Sequence, residues 1–184
     1  AYNLRGLIYA NLGDDRLAEE SFRRALQLNP LDADAMQNFG WYLCQRKRFD
    51  EAQVQFEQAL AAPRYRDSAR TYLTQGICHS QAGQLELAER SLLRASQLEP
   101  RNMSTAFTLA DVLYRRQEYE RARFYVRRVN ASKDVATAQS LWLAVRIENR
   151  LGQVRARQDL GQQLLRRFPD SREASAFERG SFDE

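Results

Sequence analysis

Residues 2–30 read YNLRGLIYANLGDDRLAEESFRRALQLNP, and the fold follows from how this stretch returns along the chain. Gly6 is followed by Tyr9, Ala18, Phe22, Ala25 and Pro30. The series comes back as Gly40, Leu43, Ala52, Phe56 and Ala59, and once more as Gly76, Ala88, Leu92, Ala95 and Pro100. Within each copy the small and apolar residues recur at helical spacing. Gly13 divides the first copy, and Asn29-Pro30 stops it. Each copy therefore reads as two antiparallel helices. Neither can bury its apolar stripe alone, so neighbouring copies must stack to complete a core.

A period of about 34 residues with G-x2-Y, then A-x3-F, then P is the signature of the tetratricopeptide repeat. The expected fold is all-α: a right-handed superhelix, an α-solenoid of antiparallel helix pairs, in one array over residues 1–184. The units are expected at about 1–31, 32–67, 68–100, 101–133 and 134–168, with 169–184 as a capping helix and tail. Helix A of the first unit spans about Tyr2 to Leu12, and Asp14 or Asp15 caps helix B, which runs to Leu28. Asp32 or Asp34 caps the next helix, and Phe49-Asp50 starts its partner. The link AAPRYRDSA is two residues longer than the period and predicts a wider turn, with Asp67 or Ser68 as the following cap. Gly83 and Leu151-Gly152 divide the third and fifth units. The fourth and fifth units drift: Ala110 and Ala144 replace the Gly, and Val126 replaces the Phe. Ser171 can cap a last short helix, and Phe177 could close the end of the stack. Gly6, Ala18 and Ala25 belong where helix backbones approach closely. Arg5 stands where an apolar residue is usual, as an edge position would allow. Ala1 and Tyr2 already lie inside a helix, so the N-terminus reads as cut, with any preceding unit or targeting segment either removed or never present.

Helix breakers are few (Gly 8, Pro 4), and the composition argues against disorder. The net charge of +4 comes from 28 basic and 24 acidic residues, a small excess with no basic stripe interleaved with aromatics. Nucleic-acid binding is therefore not expected. No apolar run reaches the roughly 18 residues that mark a membrane-spanning helix. Catalysis is not expected either. The one histidine, His79, lies in a helix, and no H-E-x-x-H, G-x-S-x-G or phosphate loop occurs. Two cysteines and one histidine make no zinc site, and no cofactor is expected.

Cys44 follows Gly40 by four residues, whereas Cys78 follows Gly76 by two. That offset rotates the side chain by roughly 200°. On successive A helices the two cysteines therefore point toward each other or apart. If toward, axes about 9–10 Å apart leave about 5 Å between Cα atoms, which a disulfide accepts. Two buried free thiols are the alternative. A disulfide would imply an oxidising compartment.

In such an array the A helices line the concave side. One helical face then collects Asp34, Gln37, Trp41, Cys44 and Gln45 in the second unit. It collects Arg70, Leu73, Ile77, Ser80 and Gln81 in the third. In the fourth it collects Ser104, Phe107, Asp111, Tyr114 and Arg115. Aromatics among amides and charges suit a protein-binding surface. The alternative is that Trp41 and Phe107 pack between repeats. Clustered Lys, Arg and Asn, which would grip a partner's C-terminal carboxylate as a chaperone adaptor does, are sparse: only Asn3, Asn11 and Arg70 are available. A substrate-recruiting arm of an enzyme is a third possibility, but nothing after Phe168 begins a catalytic domain.

A narrower resemblance rests on NFGWYLCQRKRFDEAQVQFEQALAAPRY, YLTQGICHSQAGQLELAERSL, FTLADVLYRRQEYERARFYVRR, SLWLAVRIENRLG and RRFPDS. Both cysteines, the longer link and the Ser-Leu-Trp at Trp142 are not general to these repeats. Together they resemble the type IV pilus biogenesis and stability lipoprotein (pilotin) family, the PilW/PilF type. The resemblance implies an outer-membrane lipoprotein facing the periplasm that helps the pilus secretin localise and multimerise. It implies about six repeats and a lipidated cysteine, so a further N-terminal unit and the membrane anchor would lie outside this chain. Groove contacts do not transfer from it; the positions above come from helix geometry.

Overall fold

Each hairpin forms because its turn carries both a stop and a start. The computed structural model describes residues 1–63, 65–132 and 134–182. Among the described residues it contains eleven α-helices and no strand. They are α1 (Tyr2–Leu12), α2 (Asp15–Leu28), α3 (Ala33–Gln45), α4 (Phe49–Ala61), α5 (Ser68–Gln81) and α6 (Leu85–Leu98). There follow α7 (Met103–Arg115), α8 (Tyr119–Asn130), α9 (Ala138–Arg150), α10 (Val154–Arg167) and α11 (Arg172–Arg179). The wider turn expected after α4 includes Arg64, and the fourth unit's expected end is Lys133. Both, with the tail's last two residues, lie outside the described residues.

Gly13 ends α1 in the left-handed conformation at φ 78°, and Asp14 then accepts the Leu17 N–H at 2.9 Å to cap α2. Asp32 caps α3 through Ala35 at 2.9 Å, so the first aspartate of each expected pair is the cap. Asp67 holds the N-cap position of α5 without a side-chain bond, and Ser171 caps α11 through Ala174 at 3.1 Å. At two A-helix ends the left-handed residue is not glycine: Lys47 has φ 60° and Gln117 has φ 63°. Thr137 and Ser140 form a reciprocal capping box on α9.

The chain divides into two compact units, Ala1–Pro100 and Arg101–Glu184, where the period alone reads one array. In the first unit, Phe22, Phe39 and Tyr42 form a ring cluster with centroids 5.4–6.2 Å apart. Phe22 and Phe56 are fully buried, which contributes about 2–3 kcal/mol for each. Cys44 and Cys78 lie in the same core, joined as a disulfide between α3 and α5 with their Cα atoms 5.8 Å apart. Arg5 is exposed and lies over the Tyr9 ring at 5.3 Å. In the second unit, Leu141, Trp142, Val145, Leu164, Ala174 and Ala176 make the core, with Phe177 packed on it. Phe177 fills the space left by Gly161: a Cβ there would meet its Cζ at 1.9 Å. Glu148 is 2% exposed and is held by Arg127 at 3.1 Å and Arg123 at 3.6 Å.

Candidate protein-binding face

Within the first unit, α1 packs against α3 and α3 against α5, whereas α2, α4 and α6 make no close approach to one another among the described residues. Closer spacing of the A helices makes their free side the inner side of this unit. The second unit repeats the relation: α7 approaches α9 and α9 approaches α11, while α8 and α10 stay apart.

On the first unit's inner side, Asp34, Gln45, Arg70 and Gln81 are exposed, and Leu73 and Ile77 are half-buried. Trp41 is half-buried too, with its body against the ring cluster. Trp41 therefore packs on the core and is also partly exposed. Gln37 is a correction. It is buried, because its amide crosses from α3 to α5 and donates to Thr74 Oγ1 at 3.4 Å. A parallel rung, Asn38 to Asn3 at 3.1 Å, ties α3 to α1. The helical-face count missed Asn38 and Thr74. The one available signal is that Asn3 and Asn38 lie 35 residues apart, one more than the period.

In the second unit, Arg115 is exposed, and half-buried Phe107 lines a cleft of about 230 Å³ with Met103, Val129 and Val135. Tyr114 is the second correction. It is buried, with its ring 5.5 Å from Tyr119 and covered by Arg146 at 4.7 Å. Asp111 is half-buried beside it. Burial raises its pKa above the ordinary value, opposed by the positive charges of Arg115 and Arg146.

Elsewhere the charges serve packing. The Asp15 carboxyl is held below its ordinary range chiefly by its hydrogen bond from Arg46, and that of Glu19 by its hydrogen bond from Arg48. Both pairs fasten α2 to the hairpin that follows. His79 is buried and its Nδ1 lies 2.8 Å from Gln84 Oε1, so it secures the α5–α6 turn. No cluster of three or more metal-ligating side chains occurs among the described residues, and no described helix is long and apolar enough to cross a membrane.

Family models described as tetratricopeptide repeat match residues 1–31, 21–54 and 73–135. The chain is 26% identical over 178 residues to the type IV pilus assembly protein PilF of Pseudomonas aeruginosa, covering 97% of this chain and 70% of that protein. The crystal structure of PilW, described as a widely conserved type IV pilus biogenesis factor, is similar at a TM-score of 0.87. Its sequence is 32% identical, over 96% of this chain and 80% of the PilW chain. A structure of Pseudomonas aeruginosa PilF has a TM-score of 0.83 and 25% identity, covering 97% of this chain and 80% of that one.

Proposed function

Because the chain belongs to the tetratricopeptide-repeat proteins of the PilW and PilF kind, which are type IV pilus biogenesis factors, we propose that it is a non-enzymatic docking module in pilus assembly. Its inner face takes a segment of the outer-membrane secretin and so promotes that protein's localisation and multimerisation. The full protein works on the periplasmic face of the outer membrane, held there by a lipid anchor. The observation that carries this reading is the mixed inner face of the first unit. On α3 and α5, Asp34, Gln45, Arg70 and Gln81 are exposed and Trp41, Leu73 and Ile77 are half-buried. Apolar contact area within a polar rim is the anatomy of a protein interface. The Cys44–Cys78 pairing supports an oxidising compartment such as the periplasm.

The test replaces Arg70 and Gln81 together by Ala, since both are exposed and their loss leaves the core intact. Capture of the pilus secretin should fall at least tenfold while helicity and melting stay unchanged. Unchanged capture removes the inner face of the first unit from the mechanism.

A further inference from the structure

The small overall charge conceals one uneven helix. α8 carries four arginines against one glutamate, whereas α2 and α6 balance and α4 is acidic. α10 matches that ratio but contains no aromatic residue. Along α8 and its C-cap, Glu120, Arg123, Phe124, Arg127, Arg128 and Ala131 fall at the spacings of one helical face. They line a cleft of about 510 Å³. Phe124 is 60% exposed, with the Arg128 guanidinium 5.9 Å from its ring centroid and Tyr125 edge-on at 5.1 Å. α8 is the second helix of its hairpin, so this face is separate from the inner side made by α7, α9 and α11.

Two of these arginines are held from below. Glu148 of α9 is 2% exposed. Its Oε1 accepts from Arg127 Nη2 at 3.1 Å. Its Oε2 lies 3.6 Å from Arg123 Nη1 and makes no hydrogen bond among the described residues. A buried carboxylate so incompletely bonded is weak evidence for stability, because desolvation offsets the Coulombic gain. Its effect is geometric. Arg127 keeps 63% of its side chain exposed while one nitrogen is pinned inside the protein. The rest of its fork meets solvent already oriented. Arg123 is pinned twice, by Glu148 and by Glu120. An exposed arginine ordinarily loses rotamer freedom when it binds, and here the fold has already taken much of it.

We propose that this cleft docks an acidic segment of a partner protein, seating one apolar side chain against Phe124 and the flanking carboxylates on Arg127 and Arg128. Charge complementarity selects the occupant: with Glu120 and Glu148 counted, arginines remain in excess around the cleft, and a carboxylate matches the planar guanidinium. An aromatic among arginines is the composition of an interface centre. A cleft along one helical face suits a peptide chain, whereas a flat lipid surface would leave it unfilled. The proposal concerns a different face from the secretin reading, and its test needs no pilus component.

The experiment uses the full chain and a fluorescein-labelled peptide, Glu-Glu-Phe-Glu-Glu, read by fluorescence anisotropy. Wild type should bind it saturably, and should bind Gln-Gln-Phe-Gln-Gln at least about tenfold more weakly. Phe124→Ala should weaken binding of the acidic peptide about tenfold, and so should Arg127→Gln combined with Glu148→Gln. The latter two are changed together because Arg127→Gln alone strands a buried carboxylate. The pair leaves the net charge unchanged, so its loss reports the guanidinium itself. Arg70→Ala with Gln81→Ala, on the inner side of the first unit, should bind like wild type. Circular dichroism and urea midpoints check that each variant folds; should the Arg127 and Glu148 pair unfold, exposed Phe124→Ala decides alone. No saturable binding, equal binding of the two peptides, or unchanged binding by Phe124→Ala overturns the proposal. Loss of binding in the Arg70 and Gln81 variant overturns it too, since the peptide would then occupy the inner side. Phosphatidylglycerol vesicles that hold wild type, release Phe124→Ala and are not displaced by the peptide would assign the face to lipid, and the partner reading would fall.

Discussion

Phe56 packs closely on Gly40: a Cβ at Gly40 would stand 2.8 Å from Phe56 Cε1 and 3.2 Å from the Ala52 carbonyl oxygen. The ring could yield, but the backbone could not without moving α4. Gly40→Ala should therefore destabilise the protein by about 1–3 kcal/mol. By register, the fourth unit holds Ala110 opposite Val126, both buried. A larger residue on one helix is matched there by a smaller one on the other. Phe56→Val, the pairing of the fourth unit, should then recover part of the Gly40→Ala loss, and a double-mutant cycle on urea midpoints measures the coupling.

Lys47 holds the left-handed position that Gly13 and Gly83 hold in other units. A side chain with a Cβ is strained there. Lys47→Gly should raise stability by about 0.5–1 kcal/mol, less than the full strain because glycine also frees the unfolded chain. A calorimetric melt reads it as a higher Tm with the helical signal unchanged.

The Cys44–Cys78 bond closes a loop of sequence separation 34. Loop-closure entropy assigns it roughly 3–4 kcal/mol. Protein isolated under oxidising conditions and denatured without reductant should show no free thiol, and reduction should lower the urea midpoint accordingly. Two free thiols in that assay would remove the bond.

Glu19 and Asp111 should report pH in opposite senses. The Glu19 pKa is lowered in the folded protein, chiefly by its hydrogen bond from Arg48. Its contribution is present above the ordinary 4.5 and is lost as pH falls through the depressed folded value. Glu19→Gln should lose about 1 kcal/mol at pH 7 and little at the acid end of that window. Asp111 is raised by burial, so its ionisation costs stability as pH rises from the ordinary 3.8 through the raised folded value. Asp111→Asn should therefore stabilise the protein at neutral pH and change nothing below that window. Urea midpoints across pH 3–7 check both.

Helix type, hairpin boundaries and most caps were legible in the linear chain, because each is a local matter. Gly13 supplies the left-handed turn and Asp14 the adjacent acceptor, within a few residues of the helices they separate. The repeat period was equally legible, because successive hairpins bury the same positions, and Gly6, Gly40 and Gly76 recur where Phe22, Phe56 and Leu92 must fit. Spacing narrowed the relation of Cys44 to Cys78 to toward or apart, and only the packing of α3 on α5 chose toward. The tertiary structure alone decided which inner-face residues stay open. Gln37 is spent on Thr74 and Tyr114 lies beneath Arg146, contacts made across helices by side chains far apart in sequence. The same holds for Phe182 on Trp142. Periodicity reports which side of a helix a residue occupies, but whether that side remains free depends on what another helix or the segment that follows it lays over it.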